Sequence, residues 1–173
     1  PWNLYDLLED FMELNAIPFG PIHLRDLGTD EGKFIKTAGH GHKLERASAL
    51  IERLPRLRWV LLGDSGQADA ELYAEAAKRF GDRIAAIYIR DVDPGSDSSR
   101  DLGVDGHIHR IEGTGVPMLR AADSLAMAQH AASLGWLDAG VLPAIAAEVG
   151  RDLRRPTLGE AAVEEALDGA PMP

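Results

Sequence analysis

Trp59-Val60-Leu61-Leu62-Gly63-Asp64-Ser65-Gly66-Gln67-Ala68-Asp69 is the stretch from which the architecture can be read. A short apolar run stopped by a glycine reads as a strand buried on both faces, the habit of parallel sheets. Asp69 stands where a side-chain oxygen can cap a helix. The inner face of that helix would carry Leu72, Tyr73, Ala76 and Phe80. Ile84 to Ile89 is a second apolar run with β-branched residues, hence a second strand. Strand, helix and strand in succession make a βαβ unit, whose strands lie parallel.

Upstream, Leu44, Ala47, Leu50, Ile51 and Leu54 recur at helical spacing, and Pro55 closes that helix. Gly28 to Gly41 reads as a loop and Ile22-His23-Leu24 as a short strand. Leu4, Leu7, Leu8, Phe11 and Leu14 fall on one face of an opening amphipathic helix. Downstream, Asp91 to Asp105 is polar and reads as a solvated loop, and His107 to Ile111 as a further strand. Ala121 to Leu134 predicts a helix ended by Gly135. A helical pattern over Leu137 to Leu153 tolerates Pro143 only near a start, so it reads as two pieces. Thr157-Leu158-Gly159-Glu160 has capping-box spacing before a last helix over Ala161 to Leu167. No repeat or linker divides the chain, so residues 1–173 are expected to form a single domain.

Of 173 residues, 45% are hydrophobic, enough for a sizeable core. No apolar run approaches a membrane span. The net charge of −10 argues against nucleic-acid binding, which draws its affinity from Lys and Arg on phosphates. There is no cysteine. This excludes disulfides and thiolate chemistry, and fits a cytoplasmic location.

Ligands of open parallel sheets gather beyond the carboxyl ends of the strands. Asp64 lies at such an end, after a glycine that lets backbone approach a ligand closely, and Asp69 follows a short loop later. Two carboxylates so placed suit Mg²⁺, a hard cation that takes oxygen ligands and keeps several waters. They equally suit loop and cap residues holding no ligand.

Gly63-Asp64-Ser65-Gly66-Gln67-Ala68-Asp69, followed by Leu72-Tyr73, resembles the fourth motif of the haloacid dehalogenase superfamily. More narrowly it is similar to the App1-like phosphatidate phosphatase catalytic domain family. Three other segments resemble that family. They are Pro1-Trp2-Asn3-Leu4-Tyr5, Gly20-Pro21 with Leu24-Arg25-Asp26, and Gly41-His42-Lys43. A lone Gly-Asp motif is a weak signal; four segments in order, over roughly Pro1 to Asp91, are a specific one.

The resemblance implies a three-layer α/β, haloacid dehalogenase-like (Rossmannoid) fold with a parallel sheet and helices on both faces. It implies Mg²⁺-dependent hydrolysis of a phosphate monoester through a phosphoaspartyl intermediate, with phosphatidate as the substrate class. Asp64 matches the metal-binding acid, Lys43 the lysine that holds phosphate and nucleophile, and Asp69 the second acid supporting them. Arg25 and Ser65 are candidate substrate-binding residues; Arg25 could instead pair with Asp26. The DxDxT-type nucleophile motif of the superfamily is not found in these residues, and Asp91-Val92-Asp93 comes too late in the order. The chain therefore reads as the C-terminal part of a catalytic domain. The first strand and its nucleophile are expected upstream of Pro1, and this portion alone is expected to be inactive. The expected partner is a phosphorylated small molecule or a phospholipid headgroup, met without a transmembrane segment and with peripheral membrane contact allowed.

Two alternatives belong to other classes. One is a catalytically inactive phospholipid-headgroup-binding module of the same fold. The other is a nucleotide- or cofactor-binding doubly wound domain, against which stands the lack of a G-x-G-x-x-G. His40 with His42, and His107 with His109, lack a third ligand at a telling interval for zinc. The aspartates between Asp91 and Asp105 miss the spacing of a calcium loop. Arg90, at the end of Ile87-Tyr88-Ile89, has no role that the sequence assigns.

Overall fold

The computed structural model describes residues 4–22, 39–95 and 98–155. The chain divides into two compact units, Pro1–Ala38 and Gly39–Pro173. In the first, helix α1 (Tyr5–Leu14) forms as its apolar spacing predicts. It stops in a left-handed turn: the Ile17 N–H donates to the Met12 carbonyl and the Ala16 N–H to that of Glu13. Ala16 holds φ at 52°, a position where glycine is the usual occupant. The short strand expected at Ile22–Leu24, Arg25, and the helix expected over Ala161 to Leu167 fall wholly or partly outside the described residues.

The second unit is built on three parallel strands, β1 (Trp59–Asp64), β2 (Ile84–Arg90) and β3 (Met118–Ala121), in that spatial order. Helix α2 (Gly39–Arg53) precedes β1, so the expected loop to Gly41 is already helix from Gly39. Helix α3 (Asp69–Phe80) connects β1 to β2, and α4 (Ser99–Ile111) connects β2 to β3. The pleat gives each strand two faces. Leu61, Ile87, Ile89 and Met118 join Ala70, Ala74 and Ala77 of α3, Ile51 of α2, and Val104 and Ile111 of α4 in one core. On the opposite face, the Tyr88 hydroxyl and His130 Nδ1 lie 2.9 Å apart, which ties α5 (Ser124–Ser133) to the sheet. Helix α6 (Leu142–Asp152) packs on α5. This is an α/β arrangement of parallel strands with helices on both faces, consistent with a Rossmannoid haloacid dehalogenase-like fold.

The structure corrects the sequence reading at several places. His107 to Ile111 is the end of α4, not a strand, and the polar stretch before it is half helix. The signal was present: Ser98 accepts from the Asp101 N–H while the Asp101 carboxylate accepts from the Ser98 N–H, a capping box hidden among acidic and glycine residues. Ala121 closes β3, a four-residue strand too short to announce itself, and α5 starts only at Ser124 behind an Asp123 cap. Pro143 sits in the first turn of α6, where its missing N–H costs nothing. Strand β1 is buried on one face only, since Val60 and Leu62 are exposed. No helix among the described residues is long and apolar enough to cross a membrane.

Candidate active site

The parallel strands end together, with Asp64 opposite Arg90 and Arg90 opposite Ala121. From the tip of β1 the chain makes one tight turn into α3. The Gly66 N–H donates to Asp64 Oδ1 at 2.9 Å, closing a side-chain turn that orients the carboxylate. Gln67 Nε2 approaches Asp64 Oδ2 at 3.4 Å.

Asp69 does not cap α3 by its side chain; Ala68 is the flanking residue, and Asp69 opens the helix proper. Its carboxylate, favoured by the positive end of the helix dipole, reaches back over the strand. Oδ2 accepts from the Asp64 N–H at 3.3 Å, and Oδ1 meets Lys43 Nζ at 2.9 Å. The Asp69 side chain is only 6% exposed, and a carboxylate so buried needs a counter-charge. Lys43 supplies it from α2, 26 residues earlier in sequence, and also donates to Gln67 Oε1 at 2.9 Å. Lys43 is itself 46% exposed, so its ammonium bridges the interior and solvent.

Gly63 explains why the turn can be so close. A Cβ there would stand 2.6 Å from Asp69 Cβ and 2.8 Å from a ring carbon of Tyr73. Glycine is required for space, and what approaches it is the protein's own acid. The Tyr73 hydroxyl donates to the Leu62 carbonyl at 2.9 Å. Its pKa is pushed up to about 12 by burial and then by the charges of Asp69 and Asp64.

The structure thus brings Lys43 and Asp69 into contact and places Asp64 beside them. Ser65 faces inward: it is buried, and its Oγ accepts from the Val92 N–H at 3.1 Å. Arg90 donates to the Asp91 carbonyl at 2.9 Å. Gln67 and Tyr73 were not singled out from sequence as site residues. Gln67 lies within the motif and Tyr73 just after it, but neither was given a role there, and Tyr73 was otherwise read as a core position. His107 and His109 lie two apart on a helix and so face different ways; His109 Nδ1 meets Glu112 instead, at 2.7 Å.

As for a metal, no group of three or more acidic or histidine side chains is placed to hold an ion among the described residues. Asp64 makes no ion pair among them, and each of its oxygens keeps acceptor capacity beyond the contact named. Asp69 has both oxygens engaged. The donor set fits a divalent cation held through one carboxylate and completed by other oxygens, the usual way of binding Mg²⁺.

The family model for the catalytic domain of phosphatidate phosphatase APP1 matches residues 1–91, which contain Lys43, Asp64 and Asp69. The chain belongs to this family. It is 32% identical over 90 residues to phosphatidate phosphatase APP1 of Saccharomyces cerevisiae, covering 52% of this chain and 15% of that protein. It is 34% identical over 93 residues to an uncharacterized protein of Schizosaccharomyces pombe, covering 53% of this chain and 15% of the relative. The aligned part is therefore a small fraction of both curated relatives. No solved structure matches the chain significantly.

Proposed function

We propose that the catalytic domain of which this chain is a part hydrolyses a phosphate monoester of the phosphatidate class. The observation carrying this reading is the contact of Lys43 with Asp69, 2.9 Å, beside Asp64 at the carboxyl end of a parallel strand. A cation and a carboxylate set a few ångströms apart at strand tips suit a phosphoryl group, whose oxygens can meet both a lysine and a bound metal.

In the proposed reaction an aspartate outside these residues attacks phosphorus. The P–O bond to the alcohol breaks as a second acid, also outside these residues, protonates the alcohol; water then gives a proton back to that acid and cleaves the aspartyl phosphate to inorganic phosphate. Lys43 would balance charge on the transferring oxygens while Asp69 holds its ammonium in place. Asp64, oriented by the Gly66 N–H, would be a metal ligand. When bound, Mg²⁺ supplies charge stabilisation without a proton transfer.

The test uses the full-length protein, assayed for phosphate release from phosphatidate against Mg²⁺ concentration. Asp64→Asn keeps shape but removes charge, and should lower turnover by about 10²-fold or more. Asp82→Asn, at the opposite ends of the strands, should leave it unchanged. Wild-type turnover and Mg²⁺ dependence in Asp64→Asn would remove the metal-site reading. Vesicle binding without phosphate release in the wild type would favour a headgroup-binding module.

A further inference from the structure

The segment leaving β2 lies against the Asp64 turn. The Ser65 N–H donates to the Arg90 carbonyl at 2.8 Å, and the Val92 N–H donates back to Ser65 Oγ. Val92 methyls stand 3.6 and 3.7 Å from where a Cβ on Gly66 would be. Whatever fixes residues 91–92 therefore also fixes the Ser65–Gly66 turn, whose Gly66 N–H orients the Asp64 carboxylate.

What fixes them is Arg120, which pairs in the sheet with Ile89. Arg120 Nη1 donates to Asp91 Oδ2 at 2.8 Å, and the Asp91 N–H donates to the Ala121 carbonyl at 2.9 Å. The other Asp91 oxygen accepts from the Asp93 N–H at 3.0 Å. The same guanidinium stands 3.5 Å from Asp101 Oδ1 and grips Asp105 through Nε and Nη2 at 3.1 and 3.2 Å. The Asp91 and Asp101 side chains are only 5% and 4% exposed; both face the guanidinium, and Asp101 also accepts from the Ser98 N–H and hydroxyl. A planar fork of five donors spreads across three carboxylates from one fixed position, whereas an ammonium is a compact point charge with three donors.

We propose that Arg120 is a positioning residue for the candidate active site, acting through Asp91 and Val92 on the turn that aims Asp64. It lies beyond the residues matched by the family model. The reaction it would serve is the one proposed above, so the proposal rests on that reading.

The experiment uses full-length protein carrying Arg120→Met, Arg120→Lys or Asp105→Asn, with amide hydrogen exchange, phosphate release and thermal melts. Arg120→Met should speed exchange at Val92 and Ser65 by about tenfold or more while Ile87, in the middle of β2, keeps its protection. It should lower kcat by about 10-fold to 100-fold with KM held within about twofold, since misplacement acts on the reacting geometry. Arg120→Lys should recover part of both effects, and Asp105→Asn, which leaves Asp91 paired, should show a weaker form of both. Unchanged exchange at Val92 and Ser65, or exchange raised equally across the whole sheet, would overturn the proposal. So would a kcat and KM indifferent to Arg120→Met in a folded, active protein. Exchange is read without turnover. An inactive wild type would therefore count against the phosphatase reading and leave Arg120's hold on the turn to be judged by exchange alone.

Discussion

Strands β1 and β2 look alike in sequence, WVLLGD and IAAIYIR, yet they meet different surroundings. Every residue of β2 from Ile84 to Ile89 is buried. In β1 only Leu61 is buried, while Val60 is 43% and Leu62 64% exposed. An apolar run reports that a strand belongs to a parallel sheet; it does not report which of its faces is covered. The candidate site gathers at the less covered strand. The backbone of β1 has α3 close above it at Gly63, and its tip carries Asp64. The tip of β2 instead meets that turn from the other side, through the Arg90 carbonyl and the Val92 N–H.

The sharpest break of this comparison is a pair of truncations. Ile87→Ala should cost about 2–5 kcal/mol, a loss of buried side chain with a cavity left behind. Leu62→Ala should cost about 0.5 kcal/mol or less, as surface substitutions do. Urea unfolding of both variants in the full-length protein measures the gap. Equal losses would mean that the intact protein covers the outer face of β1.

Gly63→Ala comes next. The added methyl meets Asp69 and Tyr73 at distances no relaxed structure allows. Forcing them apart should cost about 1–3 kcal/mol, and activity should fall with it because Lys43 and Asp64 are both registered on Asp69. Alanine at Gly66, where the nearest atom would be Asp64 Oδ1 at 3.1 Å, should be milder. Thermal melts and phosphate release on the two variants check the order.

Tyr73→Phe should cost less than Gly63→Ala, about 0.5–1.5 kcal/mol for the lost bond to the Leu62 carbonyl. Its signature lies in pH. The folded pKa of Tyr73, about 12, stands above the ordinary value of 10.0. The folded state thus holds its proton more tightly than the unfolded state. The resulting stability is complete below pH 10 and is lost as pH rises towards 12. Wild type should lose stability over that window more steeply than Tyr73→Phe, in denaturant melts run at each pH.

The legible part of the molecule was the part in which neighbours in space are neighbours in sequence. The βαβ unit, the glycine at the strand tip and the carboxylates of residues 64–69 could be read directly, because a turn and a helix start use local rules. Lys43 was reached through resemblance to a family, not through spacing. Helix α4 was lost because its capping box sits among aspartates and glycines that weaken the 3.6-residue pattern. Strand β3 was lost because four residues carry too little periodicity.

Sequence by itself determined the parallel α/β class, the strand–helix–strand succession from Trp59 to Ile89 and the acid at the end of its first strand, since apolar period and turn chemistry are properties of short windows. Only the tertiary structure decided which charges meet. Lys43 neutralises Asp69, and Arg120 gathers Asp91, Asp101 and Asp105, across separations of 26, 29, 19 and 15 residues. A buried carboxylate must find a cation wherever the fold brings one, and nothing local in the chain says where that will be.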